Sequence, residues 1–162
     1  MFALTNCRIH SADKCLEGHA VLIAGRHIVD IVEATDIPGD IPRHDLEGGH
    51  LAPGFIDVQA NGGGGVMFNA APTAQTIARI AGAHRRFGTV GFLATLITDD
   101  RARIAEAIDA VRQALAARTP GLLGIHLEGP TINPQRRGMH ARRHIGALDA
   151  EDIARLAALP AA

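Results

Sequence analysis

The first fifty residues alternate short apolar runs with turn residues, a pattern typical of short β-strands. Residues 2–9 predict one strand, and residues 21–24 and 27–32 predict two more, joined by Gly25 and Arg26. A glycine at the first position of a two-residue loop fits a type II′ hairpin turn. Prolines and glycines then indicate a turn-rich stretch up to Gly49, and no long helix is expected before residue 70.

From residue 51 onward, apolar strands alternate with amphipathic helices. Residues 99–117 give the clearest helix, because apolar side chains recur every three or four positions and acidic residues stand at its N-terminus. The last helix is expected to turn Ile153 and Leu156 inward. The predicted strands are 55–59, 89–95 and 122–127, and the predicted helices are 73–86, 99–117 and 149–159.

This alternation of strands and helices predicts parallel strands joined by crossover helices. The strands are apolar enough to fit a sheet that is covered on both faces. We therefore expect three β/α units behind a small all-β segment.

The composition is that of a globular protein and argues against two classes of partner. The chain has 162 residues with a formal net charge of -1, so no overall electrostatic attraction to nucleic acid or to a membrane surface is expected. No apolar run reaches the roughly 20 residues that a membrane span needs. Cys7 and Cys15 form no disulfide framework, which favours reduced thiols and a cytoplasmic location.

Two strand ends carry the candidate chemistry. His126 and Glu128 close the third predicted strand on one face, where parallel β/α folds gather their ligands. Asp57, Gln59 and Asn61 end the first strand and share one face in an ideal strand. Each group has a plain alternative, a polar strand end that faces solvent.

Two loop segments are weaker candidates. Residues 62–65 are four glycines whose N–H groups could cradle an anion, although a turn beside the site is the simpler interpretation. Residues 135–144 contain four arginines and two histidines that could meet a phosphate. A solvated basic loop is the alternative, and nucleic acid is disfavoured because no aromatic stacking residue is present there.

Taken in order, several motifs resemble one family, the N-acetylglucosamine-6-phosphate deacetylases of the amidohydrolase superfamily. Residues 51–57 (LAPGFID) are similar to the stretch that opens the barrel in amidohydrolases, and residues 59–62 (QANG) are similar to this deacetylase. Residues 95–98 (TLIT), 126–130 (HLEGP) and 138–140 (GMH) are similar to its next signatures. The resemblance covers residues 51–140, and the small β segment before them also matches the family's layout.

The resemblance implies a metal-dependent hydrolase that converts N-acetylglucosamine 6-phosphate to glucosamine 6-phosphate and acetate. It implies that Glu128 is a metal ligand, that Gln59 and Asn61 lie at the metal site, and that Met139 and His140 contact the sugar. One zinc ion per subunit is expected, since amides replace the His-x-His pair of two-metal relatives. Two further metal-binding histidines and the catalytic aspartate are expected beyond residue 162.

The resemblance also implies the architecture: residues 1–50 begin a small β-sandwich domain, and residues 51–162 form the first three β/α units of a (β/α)8 TIM-type barrel. Both domains would be incomplete, so the isolated chain is expected to be inactive and prone to aggregate. A homodimer is expected for the full-length protein. The alternatives are another amidohydrolase, acting on a cyclic amide or another acetylated sugar, and a non-catalytic fragment that binds sugar phosphate.

Overall fold

A computed structural model describes residues 1–160 as a mixed α/β protein. The chain forms two compact units, one spanning Met1–Pro53 and one from Gly54 onward. The first unit is all β except for a 3-10 turn at Ala34–Asp36. Its strands are β1 (Phe2–Ser11), β2 (Lys14–Leu16), β3 (His19–Ala24), β4 (His27–Glu33) and β5 (Arg43–Leu51).

The first unit is one five-stranded sheet in which β2, β1, β3 and β4 are hydrogen-bonded in that order, and β5 lies off this path and pairs parallel with β1. The predicted hairpin is confirmed, since β3 and β4 pair antiparallel around Gly25, whose φ is 59°. Apolar side chains are buried on both faces: Ala20 and Leu22 belong to one cluster and Val21 to another, as alternation along a strand requires.

The turn-rich stretch predicted up to Gly49 is wrong beyond residue 42, because Arg43–Leu51 is a strand. The glycines mark a bulge within it: Glu47 and Gly48 have φ of 54° and 76°, and the pairing with β1 shifts register at this point. Asp45 Oδ1 accepts a 2.7 Å hydrogen bond from the Glu47 amide and so stabilises the bulge.

The second unit contains the predicted β/α units and a short extra hairpin. Its strands are β6 (Phe55–Ala60), β7 (Gly62–Gly63), β8 (Val66–Met67), β9 (Thr89–Ile97) and β10 (Leu122–Glu128). Its helices are α1 (Ala74–Arg85), α2 (Arg101–Ala116) and α3 (Ala150–Ala157), with 3-10 turns at Pro134–Arg136 and Arg142–His144. Strands β6, β9 and β10 form a parallel sheet in the order β10-β9-β6, as predicted.

The core of the second unit lies between this sheet and helices α1 and α2. Phe92 and Leu96 on β9 pack in one buried cluster with Ile80 on α1 and with Ile108 and Val111 on α2. Side-chain caps fix where the helices begin: Thr73 and Asp100 are the N-caps of α1 and α2.

The opposite face of the parallel sheet corrects one expectation. Within residues 1–160 it is open at Ile56 and Val58, which are 64% and 62% exposed, whereas Thr95 farther along β9 is fully buried. A Cβ built on Gly91 would meet Leu123 at 2.9 Å and Ile56 at 3.6 Å, so these side chains share the face away from buried Phe92. The prediction of a sheet covered on both faces is therefore wrong for the part of the sheet around Ile56 and Val58.

Helix α3 also differs from its prediction. Leu156 packs against the core, but Ile153 is 56% exposed and does not face inward. The buried residue at this end is Asp152, whose carboxylate contacts the Asp149 amide in a capping box and lies near Arg101. The polar contacts of the first turn thus take the place of apolar burial. None of the described helices is both long and apolar enough to cross a bilayer.

Candidate functional site

The end of the parallel sheet brings three polar side chains to one place. Glu128 is the last residue of β10, and its carbonyl accepts a 3.0 Å hydrogen bond from the Thr98 amide just beyond β9. Its side-chain oxygen Oε2 accepts a 2.8 Å hydrogen bond from Gln59 Nε2 near the end of β6. Because the three strands are parallel, their C-terminal ends meet at one edge of the sheet.

His140 enters this site from the loop that follows β10. It is only 8% exposed, and its Nδ1 lies 2.8 Å from Thr98 Oγ1. Its Nε2 lies 3.5 Å from Glu128 Oε1. Arg137 Nη1 donates a 2.9 Å hydrogen bond to the His140 carbonyl, which holds the loop in place. Gln59, Thr98, Glu128 and His140 are called the Glu128 cluster below.

The carboxylate of the Glu128 cluster is half-buried, with one third of its side chain exposed. A partly buried carboxylate needs a cation or hydrogen-bond donors to offset its lost hydration. The Gln59 amide supplies one neutral donor to Oε2, whereas Oε1 faces the His140 ring at a distance too long for a good hydrogen bond. The cluster can therefore accept a further donor or a cation at Oε1.

The structure brings together three of the five side chains predicted for the site, namely Gln59, Glu128 and His140. Met139 is next in sequence to His140, but its side chain is 81% exposed. Asn61 is half-buried, and its carbonyl accepts a hydrogen bond from the Phe68 amide. The metal-binding and sugar-binding roles assigned to all five residues stay predictions.

The glycine run has a packing role. Gly64 and Gly65 have φ of 62° and 80° and form the turn between β7 and β8. A Cβ on Gly63 would lie 2.8 Å from His84 Nε2, and the same ring nitrogen contacts the Gly62 carbonyl at 2.8 Å. The hairpin thus lies directly on α1, which supports the turn interpretation over an anion cradle.

Two residues that shape the site were missed from the sequence. Thr98 lies in the 95–98 motif, but nothing in the sequence indicates that its hydroxyl faces His140. Asn69 bridges the end of β9, since its side chain both donates to the Ile97 carbonyl and accepts from the Ile97 amide, at 3.2 and 3.0 Å. An asparagine just ahead of a helix gives no signal for such a long-range contact.

The basic loop lines a cleft of about 390 Å³ beside the site, but its charge is mixed. Arg143 and Arg101 line it together with Asp99, Asp100 and Asp152. Arg101 is already paired with carboxylates at the start of α3. The structure therefore gives little support for a phosphate site formed by this loop alone.

A complete zinc site is not formed by residues 1–160, in which no three His, Cys, Asp or Glu side chains are placed to hold a metal ion. A catalytic zinc normally has about three protein ligands. Glu128 fits the role of one such ligand, because its Oε1 accepts no close hydrogen bond from the Glu128 cluster.

Comparison with known proteins agrees with this geometry. Residues 1–51 match the family described as the NagA composite domain. The chain is 33% identical to the N-acetylglucosamine-6-phosphate deacetylase of Haemophilus influenzae, over 93% of this chain and 39% of that protein. The crystal structure of N-acetylglucosamine-6-phosphate deacetylase from Pasteurella multocida superimposes on 94% of the chain with a TM-score of 0.86 at 33% identity.

The chain is related to the N-terminal part of these deacetylases. The resemblance drawn from its motifs is thereby confirmed. The N-acetylgalactosamine-6-phosphate deacetylase of Shewanella sp. (strain ANA-3) is also similar, with 47% identity over 106 residues, 65% of this chain and 27% of that protein. The chain spans between about a quarter and two fifths of the length of the relatives it matches.

Proposed function

We propose that this chain serves the hydrolytic deacetylation of N-acetylglucosamine 6-phosphate to glucosamine 6-phosphate and acetate. The observation that carries the proposal is the convergence of Gln59, Glu128 and His140 at the C-terminal end of three parallel strands. This is the edge at which β/α enzymes bind their substrates. The names of the relatives supply the substrate class.

The finer architecture is part of the proposal. Residues 54–160 would form the first three β/α units of a (β/α)8 barrel, and the sheet of the first unit would belong to a β-sandwich. The uncovered sheet face supports the barrel, since Ile56 and Leu123 would face its interior. A cytoplasmic homodimer is the proposed setting.

Zinc is the proposed metal, with Glu128 as one ligand and the others from outside residues 1–160. When bound, zinc lowers the pKa of its water and polarises a carbonyl oxygen. The chain's own residues would orient and bind: Gln59 donates a hydrogen bond to the Glu128 carboxylate through its amide, and His140 Nε2 lies 3.5 Å from the same carboxylate.

The test is acetate release by the gene product that carries residues 1–162, with N-acetylglucosamine 6-phosphate as substrate. Glu128→Gln keeps the shape of the side chain but removes its charge, so we expect a loss of kcat/KM of about 100-fold or more, the size of effect seen when one preorganised polar group at a reacting centre is removed. Glu151→Gln is the matched control, because that carboxylate is on the exposed side of α3. Full activity of Glu128→Gln would contradict the proposal.

N-acetylgalactosamine 6-phosphate is a second candidate substrate, and the 47% identity to the Shewanella deacetylase favours it. The two sugars differ only in the configuration at one hydroxyl-bearing carbon, so the same cluster could serve either. The ratio of kcat/KM for the two sugars decides between them.

Two other functions remain to be separated from these. A cyclic-amide substrate assayed in parallel tests for a different amidohydrolase. Calorimetric titration with the sugar phosphate, with and without zinc, tests for a non-catalytic binding protein, for which binding should not depend on zinc and acetate should not be released.

A further inference from the structure

Strands β6 and β9 stop pairing before they reach the candidate site. Their register ends at Ala60 and Ala94, whereas β9 continues to pair with β10 as far as Ile97 and Glu128. The backbone of β9 beyond Ala94 therefore has no strand partner in β6, and partly buried backbone groups need hydrogen bonds from elsewhere. Gln59 nevertheless reaches Glu128 from β6, which lies on the other side of β9.

The side chain of Asn69 supplies the missing hydrogen bonds at Ile97. Asn69 Oδ1 accepts from the Ile97 amide at 3.0 Å, and Asn69 Nδ2 donates to the Ile97 carbonyl at 3.2 Å and to Asp99 Oδ2 at 3.1 Å. The three partners fix the orientation of the side-chain amide, because the Ile97 N–H can only donate while the carbonyl and the carboxylate can only accept. Asn69 thus pairs with both backbone groups of Ile97, as a neighbouring strand would.

The residue before Asn69 joins this contact to β6. The Phe68 amide donates a 2.8 Å hydrogen bond to the carbonyl of Asn61, directly after β6, and the Phe68 side chain is fully buried in the core. Two successive residues therefore connect the end of β6 to the end of β9. Thr98, which follows Ile97, donates its amide to the Glu128 carbonyl at 3.0 Å and carries the connection on to β10.

We propose that Asn69 is a positioning residue, which holds the ends of β6 and β9 together so that Gln59 and Thr98 stay within hydrogen-bonding distance of Glu128. An amide is required at this position, since a carboxylate would place an oxygen against the Ile97 carbonyl and the Asp99 carboxylate. The effect on catalysis rests on the proposed function, but the effect on the geometry of the cluster does not.

NMR of the gene product that carries residues 1–162 reads both ends of this connection. Exchange of the Ile97 amide with deuterium reports on its bond to Asn69. The side-chain amide protons of Gln59, assigned by their loss in Gln59→Ala, report on the bond to Glu128. In Asn69→Ala we expect the Ile97 amide to exchange about 10-fold faster, as the loss of one hydrogen bond produces, and the Gln59 protons to move toward the shifts of a solvated glutamine.

The controls separate this local effect from general loosening. The Phe92 amide, which donates to the Gly121 carbonyl at 2.8 Å, should keep its exchange rate in Asn69→Ala, whereas general loosening would speed both amides. Asn133→Ala removes only the contact of an exposed asparagine with the Gln135 amide and should change neither signal. Unchanged Ile97 exchange, or unchanged Gln59 shifts, in folded Asn69→Ala would overturn the proposal.

Exchanging the two side chains tests the same contact with variants that keep their volume. Asn69→Asp alone sets two carboxylates against each other, so it should disturb both signals. Asp99→Asn in the same chain restores a donor opposite residue 69 and returns the net charge to that of the unsubstituted protein. The double variant should recover the Ile97 exchange rate and the Gln59 shifts, and no recovery would count against the proposal. This pair decides the question if Asn69→Ala does not fold.

Enzyme kinetics then test the consequence for the reaction. Asn69→Ala should lower kcat/KM for N-acetylglucosamine 6-phosphate by about 10- to 100-fold, the effect of a small displacement of groups at a reacting centre, and the double variant should regain part of the loss. Unchanged kcat/KM in folded Asn69→Ala would refute the positioning role. No deacetylation by any form would contradict the proposed function, while the NMR result would still decide whether Asn69 sets the geometry.

Discussion

Replacing Gly129 by alanine should damage the second unit more than an ordinary glycine substitution. Gly129 follows Glu128 with φ at 104°, a conformation that L residues rarely adopt. A Cβ built on it would lie 2.0 Å from Thr98 Oγ1, so the hydroxyl that contacts His140 would have to move. We expect the backbone conformation to cost about 1–2 kcal/mol and the overpacking about 1–3 kcal/mol more.

Gly138→Ala separates these two effects. Gly138 lies in the same unit with φ at 57°, but nothing lies within 4 Å of a Cβ built on it. It should therefore lose only the roughly 1–2 kcal/mol of the left-handed conformation. Urea unfolding followed by far-UV circular dichroism measures both, since the chain has no Trp or Tyr for intrinsic fluorescence.

The difference between the two variants is the quantity that tests the structure. Gly129→Ala should be less stable than Gly138→Ala by about 1–3 kcal/mol, the overpacking alone. If the free energies of unfolding of Gly129→Ala and Gly138→Ala agree within about 0.5 kcal/mol, the usual scatter of surface substitutions, Thr98 is not in contact with residue 129.

Three further predictions concern other parts of the chain. Ile108→Ala should destabilise the second unit by about 2–5 kcal/mol in the same unfolding assay, because Ile108 is 1% exposed in the core; a loss below about 1 kcal/mol would contradict the packing. Exposed Cys15 should react with a thiol reagent in the native protein. Burial raises the pKa of the Cys7 thiol, so Cys7 should react only after unfolding. Equal reaction rates of the two thiols in the native protein would contradict this prediction. A hydrogen bond and the charge of Arg155 lower the pKa of Glu151, so this pair stabilises α3 at pH values above the ordinary pKa of a glutamate. The stabilisation is lost as the pH falls through the lowered pKa. Glu151→Gln should therefore remove this part of the pH dependence of the free energy of unfolding, and an unchanged pH profile would contradict the prediction.

The sequence predicted the helices and parallel strands well because local signals and burial agree there. Thr73 and Asp100 are capping residues that stand immediately before apolar periodic segments, and both cap helices in the structure. The strand Arg43–Leu51 was missed because its glycines usually mark a turn, whereas here they form a bulge. Only the pairing with β1 distinguishes a bulge from a turn here, and this long-range contact is not encoded in the local sequence.

The candidate site was predictable in its residue types but not in its geometry. Glu128 and Gln59 were singled out because polar residues at parallel strand ends meet at one edge, and the structure joins them by a direct hydrogen bond across 69 residues of sequence. Thr98 was not singled out, because threonine is common in strands and only the position of the histidine loop gives its hydroxyl a partner. The exposed position of Ile153 was missed for a similar reason, since the capping box at the start of α3 occupies the buried side.

The Glu128 cluster depends on the relative position of three strands, so its geometry is coupled to the helices that hold those strands together. Gln59 and Thr98 reach Glu128 only because β6, β9 and β10 lie side by side. Apart from their hydrogen bonds, these strands are held mainly by packing against α1 and α2 on one face, since Ile56 and Val58 on the other face are exposed within residues 1–160. A core substitution far from the site should therefore loosen the hydrogen bond between Gln59 and Glu128, a single amide–carboxylate contact that has no second bond to maintain its alignment.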